Sequence, residues 1–295
     1  MPNVENALNL CAGQVSEALK NYLTPSDPRC EMLYDAMRYT AMSAGKRIRP
    51  YLTMEFCRML GGSEKAALPF ACAVEMIHNY SLIHDDLPCM DNDDFRRGKP
   101  TNHKIYGETT ALLAGDTLLT DAFGVCVSNP YVSATSARLA TFYLSRAAGG
   151  VGMAGGQMID TAADGKLESR EALEHMYRLK TGALISAASI LGVYAATDVP
   201  APELLADAET YSYCIGLAFQ FIDDVLDVTA DAEEFGRPIG SDDKNQKTTI
   251  LAFMSVDEAI EKVRSLTAKA IAAISKYPNS ENLVELANYL VTRRK

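Results

Sequence analysis

The sequence lacks several features that would point to other classes of protein. Its seven cysteines are odd in number and contain no CxxC pair, which favours reduced thiols of a cytosolic protein over a disulfide framework. No window holds the run of about 18 apolar residues that a membrane span needs. Residues 1–23 have no positive leader, so no signal peptide is expected. A cytoplasmic protein without a membrane span is therefore predicted.

Basic charge is also in short supply, since the net charge is -10. A general nucleic-acid binder needs a basic face to neutralise phosphates, so no nucleic-acid partner is expected. The acidic balance does not exclude a small phosphorylated ligand in a local basic pocket.

Strand-like alternation is nearly absent, and helical periodicity dominates instead. Apolar residues recur three and four apart along most of the chain. Glycine and proline cluster between these segments, as at Gly61-Gly62 and Asn129-Pro130, in stretches too short to be domain linkers. The 295 residues, 48% hydrophobic and 22% charged, are predicted to form one all-α domain over residues 1–295, a helical bundle of about ten helices.

The sequence is rich in aspartate at two places, of which the first is SLIHDDLPCMDNDDFRRGKP, residues 81–100. Asp85 and Asp86 end an apolar helical pattern, and Pro88 disfavours helical geometry in the residue before it. Asp91 is then expected to return from a small bulge. Crowded carboxylates repel one another and raise one another's pKa unless a cation lies among them. A single run of this kind is more often a solvated surface.

The second acidic stretch, FQFIDDVLD, closes another apolar helical pattern. Asp223 and Asp227 stand four apart and share one helix face, with Asp224 beside the first, and like charges at that spacing destabilise a helix that has no ligand. Oxygen ligands without a His/Cys cluster suit Mg²⁺ rather than Zn²⁺ or copper, and DNDD lacks the Gly and Glu of a calcium EF-hand loop. Protein-bound Mg²⁺ is usually shared with substrate phosphates, so a diphosphate ligand is predicted.

Basic residues recur beside these acidic stretches. At the GKRIRP junction Gly45 is a helix stop and Pro50 suits the first position of the next helix, a setting that favours an anion. Each basic segment alone would more often be exposed, but their recurrence predicts two phosphorylated substrates, one bound through metal and one through Arg and Lys. The basic segments contain Lys46, Arg47 and Arg49; Arg96, Arg97 and Lys99; Lys180; and Lys244 and Lys247.

In their order, these segments resemble those of the trans-isoprenyl diphosphate synthases, and among them the bacterial farnesyl diphosphate synthases, with geranylgeranyl diphosphate synthases next. The resemblance rests on AMRYTAMSAGKRIRP, IHNYSLIHDDLPCMDNDDFRRGKPTNH, GETTALLAGDTLLT, GGQMID, KTGALI, FQFIDDVLD and GSDDKNQKTT. It covers nearly the whole chain. It implies an isoprenoid synthase fold around a central prenyl-binding cavity, a homodimer, and three Mg²⁺ ions when a diphosphate is bound.

The resemblance also implies roles for individual residues. The metal ligands would be Asp85, Asp86, Asp91, Asp223, Asp224 and Asp227, with Asp85, Asp91 and Asp223 as the direct ligands. The allylic diphosphate would be bound by Arg96, Lys180 and Lys247. Isopentenyl diphosphate would be bound by Lys46, Arg49, His78 and Arg97. Thr181, Gln220 and Gln157 would face the reacting carbons, and the tail 293–295 would fold toward the isopentenyl site.

The implied reaction condenses isopentenyl diphosphate with dimethylallyl and geranyl diphosphate. Mg²⁺ and the Lys/Arg groups would stabilise charge on the leaving diphosphate, and the resulting allylic cation would be attacked by the double bond of isopentenyl diphosphate. His84 is a candidate base by its position next to Asp85, although a structural role is the stronger expectation.

Product length is expected to depend on Tyr80, which lies five residues before Asp85, about 7.5 Å along the helix. In the family that the chain resembles, an aromatic at this position together with a two-residue insertion in the first motif, here Pro88-Cys89, goes with a C15 product, so the resemblance implies that Tyr80 with Ser81 forms a floor that stops elongation at farnesyl diphosphate. Geranylgeranyl diphosphate, C20, remains the alternative, and an ordinary core role for Tyr80 stays open.

Two other classes also remain open at this point, a class I terpene cyclase and a non-catalytic prenyltransferase subunit. The basic set for a second diphosphate favours elongation over cyclisation. The intact aspartates argue against the non-catalytic subunit.

Overall fold

The computed structural model describes residues 4–162, 166–229 and 248–292. Over these ranges the regular secondary structure is helical except for one short antiparallel hairpin, in which β1 (Phe95–Arg96) pairs with β2 (Lys99–Pro100). The all-α prediction is therefore confirmed. The chain forms two compact units, Met1–Leu144 with Leu191–Val199 and Ser145–Ile190 with Pro200–Lys295. That residues 1–295 act as one domain stays a prediction.

The α-helices follow one another through short connections. In chain order they are α1 (Val4–Tyr22), α2 (Glu31–Ala41), α3 (Ile48–Met59), α4 (Glu64–Asp85), α5 (Asn102–Tyr106), α6 (Glu108–Val127), α7 (Ala134–Ala148), α8 (Met153–Ala162), α9 (Arg170–Tyr177), α10 (Ala183–Ala196), α11 (Pro202–Thr229), α12 (Val256–Ile274) and α13 (Glu281–Thr292). Short 3₁₀ turns cover Pro28–Cys30 and Ile250–Ala252, and a π-helical turn covers Arg178–Gly182.

In the first unit, α4 is the central helix and packs against α1, α2, α3 and α6. It begins where the hydroxyl of Ser63 accepts a hydrogen bond from the amide of Ala66 at 3.2 Å, an N-cap that satisfies one of the free helix-start donors. Its residues from Phe70 to Ile77 are all buried. A helix that is apolar all round is buried on all sides, so α4 carries the first acidic stretch out of the core at its C-terminal end.

In the second unit, α11 has the same central position and packs against α9, α12, α13 and the π-helical turn. The buried hydroxyl of Tyr211 donates to the carbonyl of Leu283 at 2.7 Å and joins α11 to α13. A capping box of Ser255 and Glu258 opens α12, with the side chain of each residue bonded to the backbone of the other. The second acidic stretch lies in the last turns of α11.

Two helices in the described ranges have the length and mean hydropathy of a membrane span, although neither is an unbroken run of apolar residues. One covers Arg170–Ala196, and 67% of its most apolar window is buried inside the protein. The other is α6, for which this share is 33%. Core helices of soluble proteins meet the same criteria, so the two helices are weak evidence for a span.

Candidate active site

The first acidic stretch leaves α4 and turns back on itself at once. The carbonyl of Leu87 accepts hydrogen bonds from the amides of Met90, at 2.8 Å, and Asn92, at 3.1 Å. The amide of Asp91 donates to the carbonyl of Asp85 at 2.9 Å, so the turn places these two aspartates next to each other in space. The structure thus contains the helix end and the return that Pro88 predicts.

Asp86 has a different environment from Asp85 and Asp91. Its carboxylate is buried and accepts hydrogen bonds from Arg96, whose Nε lies 2.8 Å from Oδ1 and whose Nη2 lies 2.6 Å from the same oxygen. Burial raises the pKa of Asp86 above its ordinary value, and Arg96 opposes that rise. Arg96 is carried by the β1–β2 hairpin, so this ion pair ties the hairpin to the end of α4. A metal bound by Asp86 would have to share the carboxylate with Arg96.

Cationic groups surround His78 in the same unit. Burial and the charges of Arg49 and Arg97 hold the pKa of His78 well below its ordinary value, so this imidazole is neutral at pH 7. Within the described ranges the Nε of Arg49 is shielded from solvent without a hydrogen-bond partner. A buried donor without an acceptor is costly, and an anionic ligand would supply the acceptor. The structure therefore brings together His78, Arg49 and Arg97, which the sequence assigned to isopentenyl diphosphate.

Arg47 is structural, although the sequence grouped it with the phosphate-binding cations. Its backbone has a left-handed φ of 48°. Its guanidinium lies in the core, where it pairs with the buried Glu75 and donates to the carbonyls of Ala41 and Ser43. These contacts fix the junction between α2 and α3, while Lys46 beside it is exposed. Sequence reasoning missed Glu75, because the carboxylate lies in an otherwise apolar helix far along the chain.

The second unit positions Lys180 and Thr181 on the π-helical turn. Lys180 Nζ lies 2.6 Å from a carboxylate oxygen of Asp160 on α8, and Thr181 Oγ1 donates to Gln220 Oε1 on α11 at 3.0 Å. Gly156 lets α8 approach this turn closely, because a Cβ at that position would lie 2.3 Å from the amide nitrogen of Lys180. Asp160 was not predicted, although the segment GGQMID contains it. Gln157, in the same segment, is half-buried on α8.

The aspartates of α11 differ from one another as well. Asp224 is buried, and one of its oxygens accepts hydrogen bonds from the hydroxyl of Tyr177 and the amide of Ile250, both at 2.8 Å. It anchors α9 and the start of the 3₁₀ turn. Asp227 is buried and Asp223 is half-buried on the same helix. The positions 244–247, with the predicted Lys247, and the tail 293–295 lie outside the described residues.

Tyr80 and Ser81 lie one turn before the acidic end of α4. The ring of Tyr80 is 9% exposed and meets the ring of His84 edge to face, with centroids 5.7 Å apart. Burial, with a smaller effect of Asp85, raises the pKa of Tyr80 to about 12, so its phenol is neutral. Ser81 is half-buried and donates to the carbonyl of His78 at 2.9 Å. The structure describes their surroundings, and their role as a floor stays a prediction.

The aspartates of the two acidic stretches offer carboxylate oxygens, the type of ligand that Mg²⁺ prefers. In the described ranges no three carboxylate, imidazole or thiol side chains converge closely enough to hold an ion by themselves. Mg²⁺ retains several waters and binds through one or two carboxylates plus substrate phosphates, so a partial set of oxygen ligands suits it. The adjacent Asp85 and Asp91 form such a set in the first unit. Asp223 and Asp227 supply carboxylates one helical turn apart in the second.

Comparison with known proteins gives the family. The polyprenyl synthetase family model matches residues 30–290. The chain is 40% identical over 288 residues to geranylgeranyl pyrophosphate synthase 7, chloroplastic, of Arabidopsis thaliana, covering 96% of this chain and 82% of the relative. The chain belongs to the polyprenyl synthetase family and is a prenyltransferase.

Solved structures agree with this assignment. An apo FPP/GFPP synthase from Zymomonas mobilis has a TM-score of 0.87 and 33% identity, covering 98% of this chain and 99% of that one. A geranyltransferase from Legionella pneumophila has a TM-score of 0.86 and 30% identity, covering 99% and 97%. The predicted isoprenoid synthase fold is therefore confirmed. Geranylgeranyl synthases predominate among the curated relatives, so a closest similarity to farnesyl synthases is not confirmed.

Proposed function

We propose that the protein condenses isopentenyl diphosphate with dimethylallyl diphosphate and then with geranyl diphosphate, and that it releases (2E,6E)-farnesyl diphosphate. The observation that carries this proposal is the buried Arg49 Nε beside the neutral His78 and the cationic Arg97. A second diphosphate substrate needs such a metal-free cationic pocket, whereas a terpene cyclase has only one diphosphate to bind. The pocket therefore favours chain elongation.

In this proposal each set of residues performs a separate task. Mg²⁺, when bound by the aspartates of both acidic stretches, would supply positive charge to the leaving diphosphate. Arg96 and Lys180 donate hydrogen bonds to the same diphosphate, and Lys247 is assigned the same task from the sequence. Arg49, Arg97, Lys46 and His78 hold isopentenyl diphosphate. Preorganised donors of this kind stabilise the charge that develops as the allylic C–O bond breaks.

Two of these cations are already held in ion pairs with neighbouring carboxylates. Asp86 orients Arg96, and Asp160 orients Lys180, each through a contact of 2.6 Å. Thr181 and Gln220 form a polar pair beside Lys180, and we assign their oxygens to the vicinity of the developing cation. No side-chain nucleophile is required, because the attacking electrons come from the substrate's double bond. The cation formed by that attack loses a proton to give the new trans double bond, and we assign this proton to the departing diphosphate.

Product length is the finer part of the proposal. A buried aromatic ring at position 80, one turn before Asp85, supports a C15 limit. The names of the curated relatives support the second candidate, geranylgeranyl diphosphate, better than the first. Incubation of the purified protein with Mg²⁺, labelled isopentenyl diphosphate and dimethylallyl diphosphate, followed by product sizing, decides between them.

The expected result of this incubation is a C15 product that needs Mg²⁺. A C20 product would select the second candidate. A hydrocarbon formed from geranyl diphosphate without use of isopentenyl diphosphate would indicate a cyclase. No product from any primer, with Mg²⁺ present, would favour a non-catalytic subunit.

Assembly as a homodimer belongs to the same proposal. Large apolar side chains stand exposed on α6: Leu112 at 46%, Leu113 at 50% and Val127 at 53%. A second copy that covered this face would remove them from water. Sedimentation of the wild-type protein and of Leu113→Glu tests this, since the variant should shift toward monomer. A cytoplasmic location and the absence of nucleic-acid partners also stay predictions from the composition.

A further inference from the structure

His84 has no task in the proposed mechanism, yet it is closely packed. It lies where α4 crosses α6, between Tyr80 and the glycine at position 115. His84 Nε2 is 3.0 Å from the carbonyl oxygen of Leu112 and 3.8 Å from a carboxylate oxygen of Asp116. On its other side the imidazole ring meets the ring of Tyr80 at an interplanar angle of 79°. His84 therefore lies between α6 and the residue assigned to limit the product.

The contact with Leu112 determines which nitrogen of His84 carries a proton. A backbone carbonyl only accepts hydrogen bonds, so Nε2 is the donor in this pair. In this contact Nε2 is therefore unavailable as a proton acceptor. The hydrogen bond instead ties the imidazole ring to α6.

The imidazole ring of His84 packs directly against Gly115 on α6. A Cβ at position 115 would lie 2.1 Å from His84 Nε2 and 2.4 Å from its Cδ2. Real Cβ atoms never approach other atoms this closely, so any larger residue would displace the ring. Because the ring also donates to Leu112, its displacement would break the hydrogen bond and move the edge that meets Tyr80. The absence of a side chain at position 115 is thus what allows the imidazole ring of His84 to occupy this position.

We propose that Gly115 and His84 are positioning residues for product length, because they hold the ring of Tyr80 in place. This inference rests on the proposed function, since it concerns the prenyl chain that grows during the reaction. An edge-to-face aromatic pair contributes a modest but measurable preference for one ring position. When the pair is lost, Tyr80 can turn aside, and elongation proceeds one isoprene unit further in a larger share of cycles.

The central experiment measures product length in two variants that break the pair in opposite ways. His84→Ala removes the ring, and Gly115→Ala keeps the ring but displaces it. Both should raise the ratio of the next-longer product to the wild-type product by roughly two- to tenfold, the range that an aromatic pair supports. His84→Phe keeps an edge against Tyr80 and loses only the donor, so its product ratio should stay closer to wild type. A change in product length with retained turnover is a readout that general destabilisation does not produce.

Two controls separate positioning from folding. Gly13 lies in α1, and a Cβ there meets nothing within 4 Å, so Gly13→Ala should leave the product ratio unchanged. In the double variant His84→Ala/Gly115→Ala the added methyl occupies the space of the missing imidazole. The double variant should therefore lose less free energy of unfolding, relative to the wild type, than the two single variants lose when their losses are added.

A spectroscopic measurement on the metal-free protein avoids turnover altogether. The chain has four histidines, so the Nε2 proton of His84 can be assigned by single substitutions. It should exchange slowly with water in the wild-type protein and rapidly in Gly115→Ala, because the hydrogen bond to Leu112 is then lost.

The outcomes are distinct. Longer products from both variants, with a protected Nε2 proton only in the wild type, support the positioning role. Unchanged product ratios in folded, active His84→Ala and Gly115→Ala would overturn it, whatever happens to stability. If the wild-type protein itself yields no prenyl diphosphate, the proposed function fails instead, and the exchange measurement still decides whether Gly115 holds His84.

Discussion

The first acidic region carries Asp91 on a loop, whereas the second carries all of its aspartates on an uninterrupted helix. Around the first region, Arg47, Asn92 and Arg97 all have left-handed backbones with φ between 48° and 54°. Such conformations cost about 1–3 kcal/mol each and persist only where surrounding contacts enforce them. In α11, by contrast, Asp223 and Asp227 are placed by ordinary helical geometry. The first region should therefore be sensitive to loss of its supporting partners, and the second chiefly to loss of its own charges.

The largest effect should come from the carboxylates assigned to the metal, one in each region. Asp85→Asn and Asp223→Asn keep the side-chain shape and remove the charge, so each should lower kcat by about 10³-fold, as loss of a main charge-stabilising group does. Asp224→Asn is the comparison variant: Asp224 is buried and already accepts hydrogen bonds from Tyr177 and Ile250, so we expect its carboxylate to contribute less to metal binding than that of Asp223. Steady-state kinetics at saturating Mg²⁺ provide the measurement. Equal losses in Asp223→Asn and Asp224→Asn would contradict the division of roles within α11.

The next largest effect should come from the buried ion pair of Arg47 with Glu75, which supports the first region. Glu75→Gln leaves the buried Arg47 guanidinium without its counter-charge, and breaking a buried pair in this way costs about 3 kcal/mol or more. Urea unfolding measures this loss. Glu31→Gln is a suitable control, since Glu31 pairs with Arg38 on the surface and should change stability by less than about 1 kcal/mol. A small effect of Glu75→Gln would show that the left-handed junction does not depend on this pair.

A smaller loss is expected in the second region from Tyr177→Phe. It removes one hydrogen bond to the buried carboxylate of Asp224 and leaves the amide of Ile250 in place. The free energy of unfolding should fall by about 1.5 kcal/mol, the lower range for a bond to a charged group. If this variant proves less stable than Glu75→Gln, the second region depends on its partners more than its regular backbone suggests.

The smallest effect is a pH dependence in the first region. The folded-state pKa of His78 lies below its ordinary value of about 6.5, so the unfolded chain takes up the proton first as the pH falls. Neutral His78 therefore makes its full contribution to the free energy of unfolding above about pH 6.5. As the pH falls from there toward the folded-state pKa, this contribution declines by at most about 1.4 kcal/mol per pH unit. Unfolding at several pH values compares wild type with His78→Gln. A slope unchanged by the substitution would contradict this.

The sequence anticipated features that depend on neighbouring residues. Pro88 indicated the end of α4, and the spacing of Asp223 and Asp227 indicated a shared helix face. The periodicity of residues 4–23 likewise agrees with the buried stripe of Val4, Leu8 and Val15 on α1. Each of these follows from local backbone geometry and side-chain period.

What could not be anticipated depends on contacts between distant segments. The pairing of Arg47 with Glu75 spans 28 residues, and that of Lys180 with Asp160 spans 20. No local pattern shows that Arg47 turns into the core while Arg49 keeps an unsatisfied donor, because both are arginines in one short junction. The contact of His84 with Gly115 is likewise set only by the packing of α4 on α6.

Calorimetric binding of inorganic diphosphate is the most direct test of the proposal that the aspartates of each acidic region bind diphosphate through Mg²⁺. The wild-type protein should bind diphosphate only when Mg²⁺ is present. Asp85→Asn and Asp223→Asn should each lose most of this metal-dependent affinity, because each removes the charge of a carboxylate assigned to the metal. Wild-type affinity in either variant, or equal binding by the wild type in the presence of a chelator, would contradict the account.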